Sequence, residues 1–162
     1  MNFQIEKIND DIIQTKNGTT TSFKANFDKG TIELNYKYKG EPNYGRIQLE
    51  LEFLINGKNV IGKYNIENHI ELPYQYPRTF ELLDSTNNIV AIPHSYGIII
   101  VNLDENSSHL VKYQTNEYQY SYFYKNELII VESTCIKITS LTTLKEKIID
   151  LQKEGRVFIN GV

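Results

Sequence analysis

The 162-residue chain has one cysteine, one methionine, no tryptophan and four prolines. A lone Cys135 cannot close an internal disulfide, so a fold of this size must rest on its buried core. Lying in the alternating run Cys135-Ile-Lys-Ile, it reads as a small strand residue rather than a reactive thiol. The three histidines, His69, His94 and His109, lie without metal-ligand spacing from one another or from Cys135. The nine glycines stand singly, which leaves no phosphate cradle, and no Gly-x-Ser-x-Gly elbow presents a nucleophile. No window approaches the roughly 18 apolar residues of a membrane span. The opening Met1-Asn-Phe-Gln-Ile-Glu-Lys7 has no basic segment leading into an apolar one, so a cytoplasmic protein off the membrane is expected. The net charge of −3, without any run of Lys or Arg, argues against nucleic acid as a partner. No catalytic residue, metal or cofactor is assigned, and the chain is read as a non-enzyme.

What is present is strand patterning in a globular composition, 40% hydrophobic and 23% charged, within the size of one domain over 1–162. From Thr20 to Phe27, Phe23, Ala25 and Phe27 alternate with polar residues. Asp28-Lys29-Gly30 turns the chain into Thr31 to Tyr38, where Ile32, Leu34, Tyr36 and Tyr38 share a side. Arg46 to Ile55 puts Ile47, Leu49, Leu51 and Phe53 opposite Gln48, Glu50 and Glu52; the two glutamates read as solvated charge. Asn56-Gly57 suits the two left-handed positions of a type I′ turn and leads into a strand from Asn59 to Tyr64. The prolines of Leu72-Pro-Tyr-Gln-Tyr-Pro77 mark a junction between an N-terminal half, about 1–72, and a C-terminal half, about 78–162.

The C-terminal half repeats itself at an offset of 38 residues: Asn88 falls on Asn126, Ser95 on Ser133, Ile98 on Ile136, Ile100 on Ile138 and Leu103 on Leu141, with Leu110-Val111 on Ile148-Ile149. A period near forty built from short apolar runs and polar turns is that of a four-stranded propeller blade. Strands are expected at 80–83, 89–92, 98–103 and 110–113, then at 118–124, 128–131, 136–141 and 148–151, with the aligned aliphatics pointing inward. Arg156 to Ile159 reads as one more strand. A competing signal is the capping box Thr143-Leu-Lys-Glu146, with Leu144, Ile148 and Leu151 at helical spacing, which would make a short helix near 143–154. The fold class expected is all-β: antiparallel sheets, the C-terminal half forming two blade-like units of a partial propeller.

The candidate recognition residues are aromatic and acidic. Tyr118, Tyr120, Tyr122 and Tyr124 alternate and so share one face of a strand; Tyr113 precedes them, and Tyr74 and Tyr76 lie within the proline-bounded junction. Tyrosine combines large contact area with a polar tip, which suits a surface that is wet alone and buried in a complex. The same spacing also describes an aromatic ladder inside a β core. The turn Asp104-Glu105 adds negative charge.

The unit Asn88-Ile-Val-Ala-Ile-Pro93 followed by Gly97-Ile-Ile-Ile-Val-Asn-Leu-Asp104 resembles the second and third strands of a propeller blade. In its small, acidic, β-rich character the chain is similar to bacterial immunity proteins, including those of contact-dependent growth inhibition. That resemblance implies an inhibitor that occludes the active site of a cognate toxin, for which a basic nuclease would be a fitting class. The alternatives are a propeller-like scaffold or carbohydrate-binding module, and a hydrolase that would need His94 or His69 in a pocket beside a carboxylate or hydroxyl. Oligomeric state is not legible.

Overall fold

Period-two runs become strands nearly residue for residue. The computed structural model describes residues 3–7, 12–17, 19–39, 46–73, 83–84, 88–114 and 120–152. Among them every strand pairing is antiparallel and there is no helix, so the chain is all-β. The first sheet holds β1 (Phe3–Lys7), β2 (Ile12–Asn17), β3 (Thr20–Phe27), β4 (Gly30–Tyr38), β5 (Arg46–Ile55) and β6 (Lys58–Asn59) in chain order, with β7 (His69–Pro73) also on β5. Its register stacks Phe23 beside Leu34 and Leu34 beside Phe53, so alternation delivers one apolar face.

The turns follow from residue type. Asn56 and Gly57 have φ of 51° and 79°, the two left-handed positions expected. Asn56 also braces the β3–β4 turn: its Oδ1 accepts the Thr31 N–H at 2.9 Å and its Nδ2 donates to the Lys29 carbonyl at 3.3 Å. The strand expected from Asn59 to Tyr64 shrinks to β6. The Asn59 side chain accepts the Ile61 N–H at 3.1 Å and starts a run of turns that buries Tyr64 and Ile66 in the core.

The second sheet is a meander of β8 (Leu83–Asp84), β9 (Ile89–His94), β10 (Gly97–Asn102) and β11 (Ser107–Lys112). The third repeats it with β12 (Tyr120–Tyr124), β13 (Glu127–Val131), β14 (Cys135–Ser140) and β15 (Glu146–Asp150). Main-chain bonds recur at the 38-residue offset read from the sequence. Leu103 N–H donates to the Asn88 carbonyl at 3.0 Å, and Leu141 N–H to that of Asn126 at 2.9 Å. Tyr113 N–H donates to Tyr96, and Leu151 N–H to Thr134, each at 2.9 Å. The side chains agree: Asn88 Nδ2 donates to Asp104, and Asn126 Nδ2 to Thr142 Oγ1.

The helical alternative near 143–154 does not form over its described part. Leu144 has φ of 58° and closes a turn onto Ser140, after which β15 pairs along β14. A capping box supplies a start, but a helix needs further turns, and ladder hydrogen bonds take the next five residues. The strand expected at Arg156 to Ile159 lies outside the described residues.

The middle sheet is buried on both faces, and β9 is buried along its whole length. Val90, Ile92, Ile99 and Val101 join the apolar face of the first sheet in one cluster. Ile89, Ala91, Ile98, Ile100 and Val111 join Leu128, Ile130 and Leu141 of the third sheet in another. Three sheets are therefore stacked. The described part of β8 pairs only with Ile89 and Val90, so Pro93, which has no N–H to give, lies beyond that described ladder.

One expectation is corrected. In the third sheet only part of the aligned set points inward: Leu141 is buried against the middle sheet, but Cys135, Lys137 and Thr139 are the buried row of β14, whereas Ile136, Ile138 and Ile149 are only half-buried. The repeat keeps each side chain on its own side of its sheet. Among the described residues the middle sheet has a cover on both sides and the third has one. Lys137, where the first unit has Ile99, is 2% exposed, with its ammonium bonded to the Lys112 carbonyl and 3.7 Å from Glu146 Oε2.

Candidate protein-binding face

The outer face of the third sheet is built by cross-strand pairing. Tyr122 lies beside Ile129, Ile129 beside Ile138 and Ile138 beside Lys147; one row along, Tyr120, Val131, Ile136 and Ile149 are paired likewise. These residues stand on the opposite side of the sheet from Leu128 and Ile130, which close against the middle sheet. Tyr120, Tyr122 and Tyr124 are 55%, 45% and 57% exposed. The reading of these tyrosines as a ladder inside the core is thereby corrected. They flank an aliphatic strip on a paired, hydrogen-bonded sheet. Lys125, at φ 54°, turns β12 into β13 and lies 5.3 Å from the centre of the Tyr124 ring.

The other candidate residues do not gather there. Tyr113 is half-buried, packed against the cluster between the second and third sheets. Asp104 and Glu105 cap the β10–β11 turn, where both backbone N–H groups donate to Asn102 Oδ1. Asp104 is already engaged: Lys29 Nζ of the first sheet lies 2.7 Å from it and Asn88 Nδ2 donates to it at 3.3 Å. The hydrogen bond from Lys29, then that from Asn88, holds its carboxyl below the ordinary aspartate range. Aromatic and acidic elements therefore form no single surface. Tyr74, Tyr76 and Tyr118 lie outside the described residues.

His94 is not a surface or turn residue. It is buried, with Nε2 3.2 Å from the Glu67 carbonyl. Its neighbour Ser95 accepts the Glu71 N–H on Oγ at 3.0 Å, which ties the β9–β10 turn to β7. His109 lies 4.0 Å from Glu146. An open cleft of about 600 Å³ runs between His69, Glu71, Glu67, Lys39 and Tyr96, the last 66% exposed. Cys135 is buried; desolvation, then the Glu132 carboxylate, pushes its thiol up. Glu50 is held low, first by its hydrogen bond with Lys39 at 2.5 Å. Among the described residues no three His, Cys, Asp or Glu side chains gather as a metal site, and no helix is long and apolar enough to cross a membrane.

No family model, curated protein or solved structure matches this chain. What the fold defines is a class: an all-β protein of three stacked antiparallel sheets, with an aromatic and aliphatic face on the last.

Proposed function

We propose that the chain is a non-enzymatic binding protein that neutralises a cognate bacterial toxin by occlusion, seating on it through the outer face of the third sheet. The observation that carries the reading is the exposure of Tyr120, Tyr122 and Tyr124 beside Ile129 and Ile138 on a rigid ladder. Rigid aromatics lose little conformational entropy on binding, and their rings fill pockets while the hydroxyls find partners at the rim. Lys125, Glu127 and Lys147 around the face carry mixed charge, so steering toward a basic toxin falls to the net −3 of the whole chain. The test is to mix the chain with the product of the adjacent gene and measure complex formation and protection from toxicity. Tyr122→Ala should weaken the complex roughly tenfold or more, and Asp104→Asn should leave it unchanged. Absence of any complex removes the reading.

The cleft beside His69 supports a second reading, binding of a small polar ligand such as a sugar. Tyr96 is exposed and lines the same cleft as Glu67, Glu71 and Lys39. Sugar stacking is nearly indifferent to salt, whereas capture of a charged toxin slows as ionic strength rises.

A further inference from the structure

The internal repeat says what the outer face of the third sheet is shaped to receive. Ile89, Ala91, Ile98, Ile100 and Val111 form the face of the middle sheet that the third sheet closes. Moved on by 38 residues they become Glu127, Ile129, Ile136, Ile138 and Ile149, all on the outer face of the third sheet. Three of the five keep a large aliphatic side chain, and a fourth, Ala91 to Ile129, gains one. The stack ends on a surface of the kind that, one unit earlier, accepts a sheet.

The other end of the stack is different. The outward row of the first sheet carries Lys24, Asn26, Glu33, Asn35, Lys37 and Glu52, with Asn35 Nδ2 donating to Glu52 at 3.2 Å. That is the polar outer face of a terminal cap. Head-to-tail stacking of copies would press the apolar end onto this charged one, burying unpaired ions. An apolar end can match only another apolar end, and the pairing that does so is isologous and closes at two copies.

We propose that the outer faces of the third sheets of two copies pack together as a two-fold dimer. With the axis along the strands, β12 of one copy lies over β15 of the other. The bulky Tyr120 and Tyr122 edge then meets the lower edge of Ile149 and Lys147, and the Lys147 ammonium approaches a tyrosine ring. Four strands about 4.8 Å apart and five residues of about 3.3 Å each give a footprint near 300 Å². Counting both copies and their side-chain relief, roughly 1,000 Å² is buried, at the floor for a specific interface. Such a dimer is weak and exchanging, so it competes with a foreign partner for the face without barring it. It shares the face of the proposed function and does not depend on a toxin.

Sedimentation of the full chain from low micromolar to near-millimolar concentration tests this. The expected result is a rise from monomer mass to dimer mass and no further. Ile138→Glu should weaken self-association roughly tenfold or more, and the variant should still unfold cooperatively because the residue faces outward and is only half-buried. Lys147→Glu is a second, milder variant on the same face and should weaken it less. A monomer at every concentration, assembly beyond the dimer, or self-association indifferent to both variants overturns the inference. Toxin capture by a chain that never dimerises would sink this inference alone, and a dimer that captures no toxin would sink only the preceding reading.

Discussion

Ile98 and Ile136 hold the same position in successive repeats, yet Ile98 is 0% exposed beneath the third sheet while Ile136 lies half-buried on that sheet's outer side. The difference is in what covers them, so their energetics should separate. Ile98→Ala should cost about 3–4 kcal/mol, as removal of a sealed aliphatic side chain does. Ile136→Ala should cost about 1 kcal/mol. Urea titration of the two variants measures both, and equal losses would mean that the outer face is covered within the monomer.

Gly97 and Gly57 fail differently when given a methyl group. A Cβ on Gly97 would run into the carbonyl of Val111, main chain that cannot swing aside. Around Gly57 there is open space, but its φ of 79° strains any other residue. Gly97→Ala should therefore cost about 2–3 kcal/mol, and Gly57→Ala about 1 kcal/mol. Thermal unfolding of both should preserve this order.

The Lys29–Asp104 pair ties the first sheet's turn to the second sheet's turn. Its folded-state pKa lies below that of the unfolded chain, so its contribution is present above the ordinary aspartate value of about 3.9 and lost as pH falls through the lower, folded value. Asp104→Asn should be slightly less stable than the parent at neutral pH and should converge with it in acid. Added salt should shrink the neutral difference, since the pair is exposed. Midpoints recorded against pH for both proteins check the sign.

Cys135 should resist alkylation. Its buried thiol is pushed up by desolvation and by Glu132, and Sγ donates to Glu132 Oε2 at 3.5 Å. Since only the thiolate reacts, modification at neutral pH should follow unfolding and accelerate sharply in denaturant. Rapid labelling of the native protein would contradict this burial.

Alternation made the first sheet's inner row legible: Phe23, Leu34, Leu51 and Phe53 are where period two puts them. The repeat likewise located seven strands; of the one expected at 80–83, only Leu83 lies among the described residues, in β8. What alternation cannot supply is which side gains a cover, because Ile98 and Ile136 sit in equivalent patterns. Lys137 shows the same gap, since a lysine between isoleucines reads as the wet row until a carbonyl from a neighbouring sheet claims its ammonium. The β1–β2 hairpin is not among the expected strands: Phe3–Lys7 is short, and the doublet Ile12-Ile13 breaks alternation. Of the candidate site, the shared face of Tyr120, Tyr122 and Tyr124 was readable; the separation of Tyr113 and Asp104 from it depends on contacts between sheets.

The doubly covered middle sheet has a consequence for synthesis. From Ile89 to Val101 the chain carries no carboxylate, lysine or arginine, and neither broad side of this hairpin can remain in water. The polypeptide preceding it can shield one side at once, but the other must wait until residues 120–150 have emerged. During that interval a sticky aliphatic hairpin stands half-clothed, with Pro93 as its one built-in deterrent to recruiting strands from neighbouring molecules.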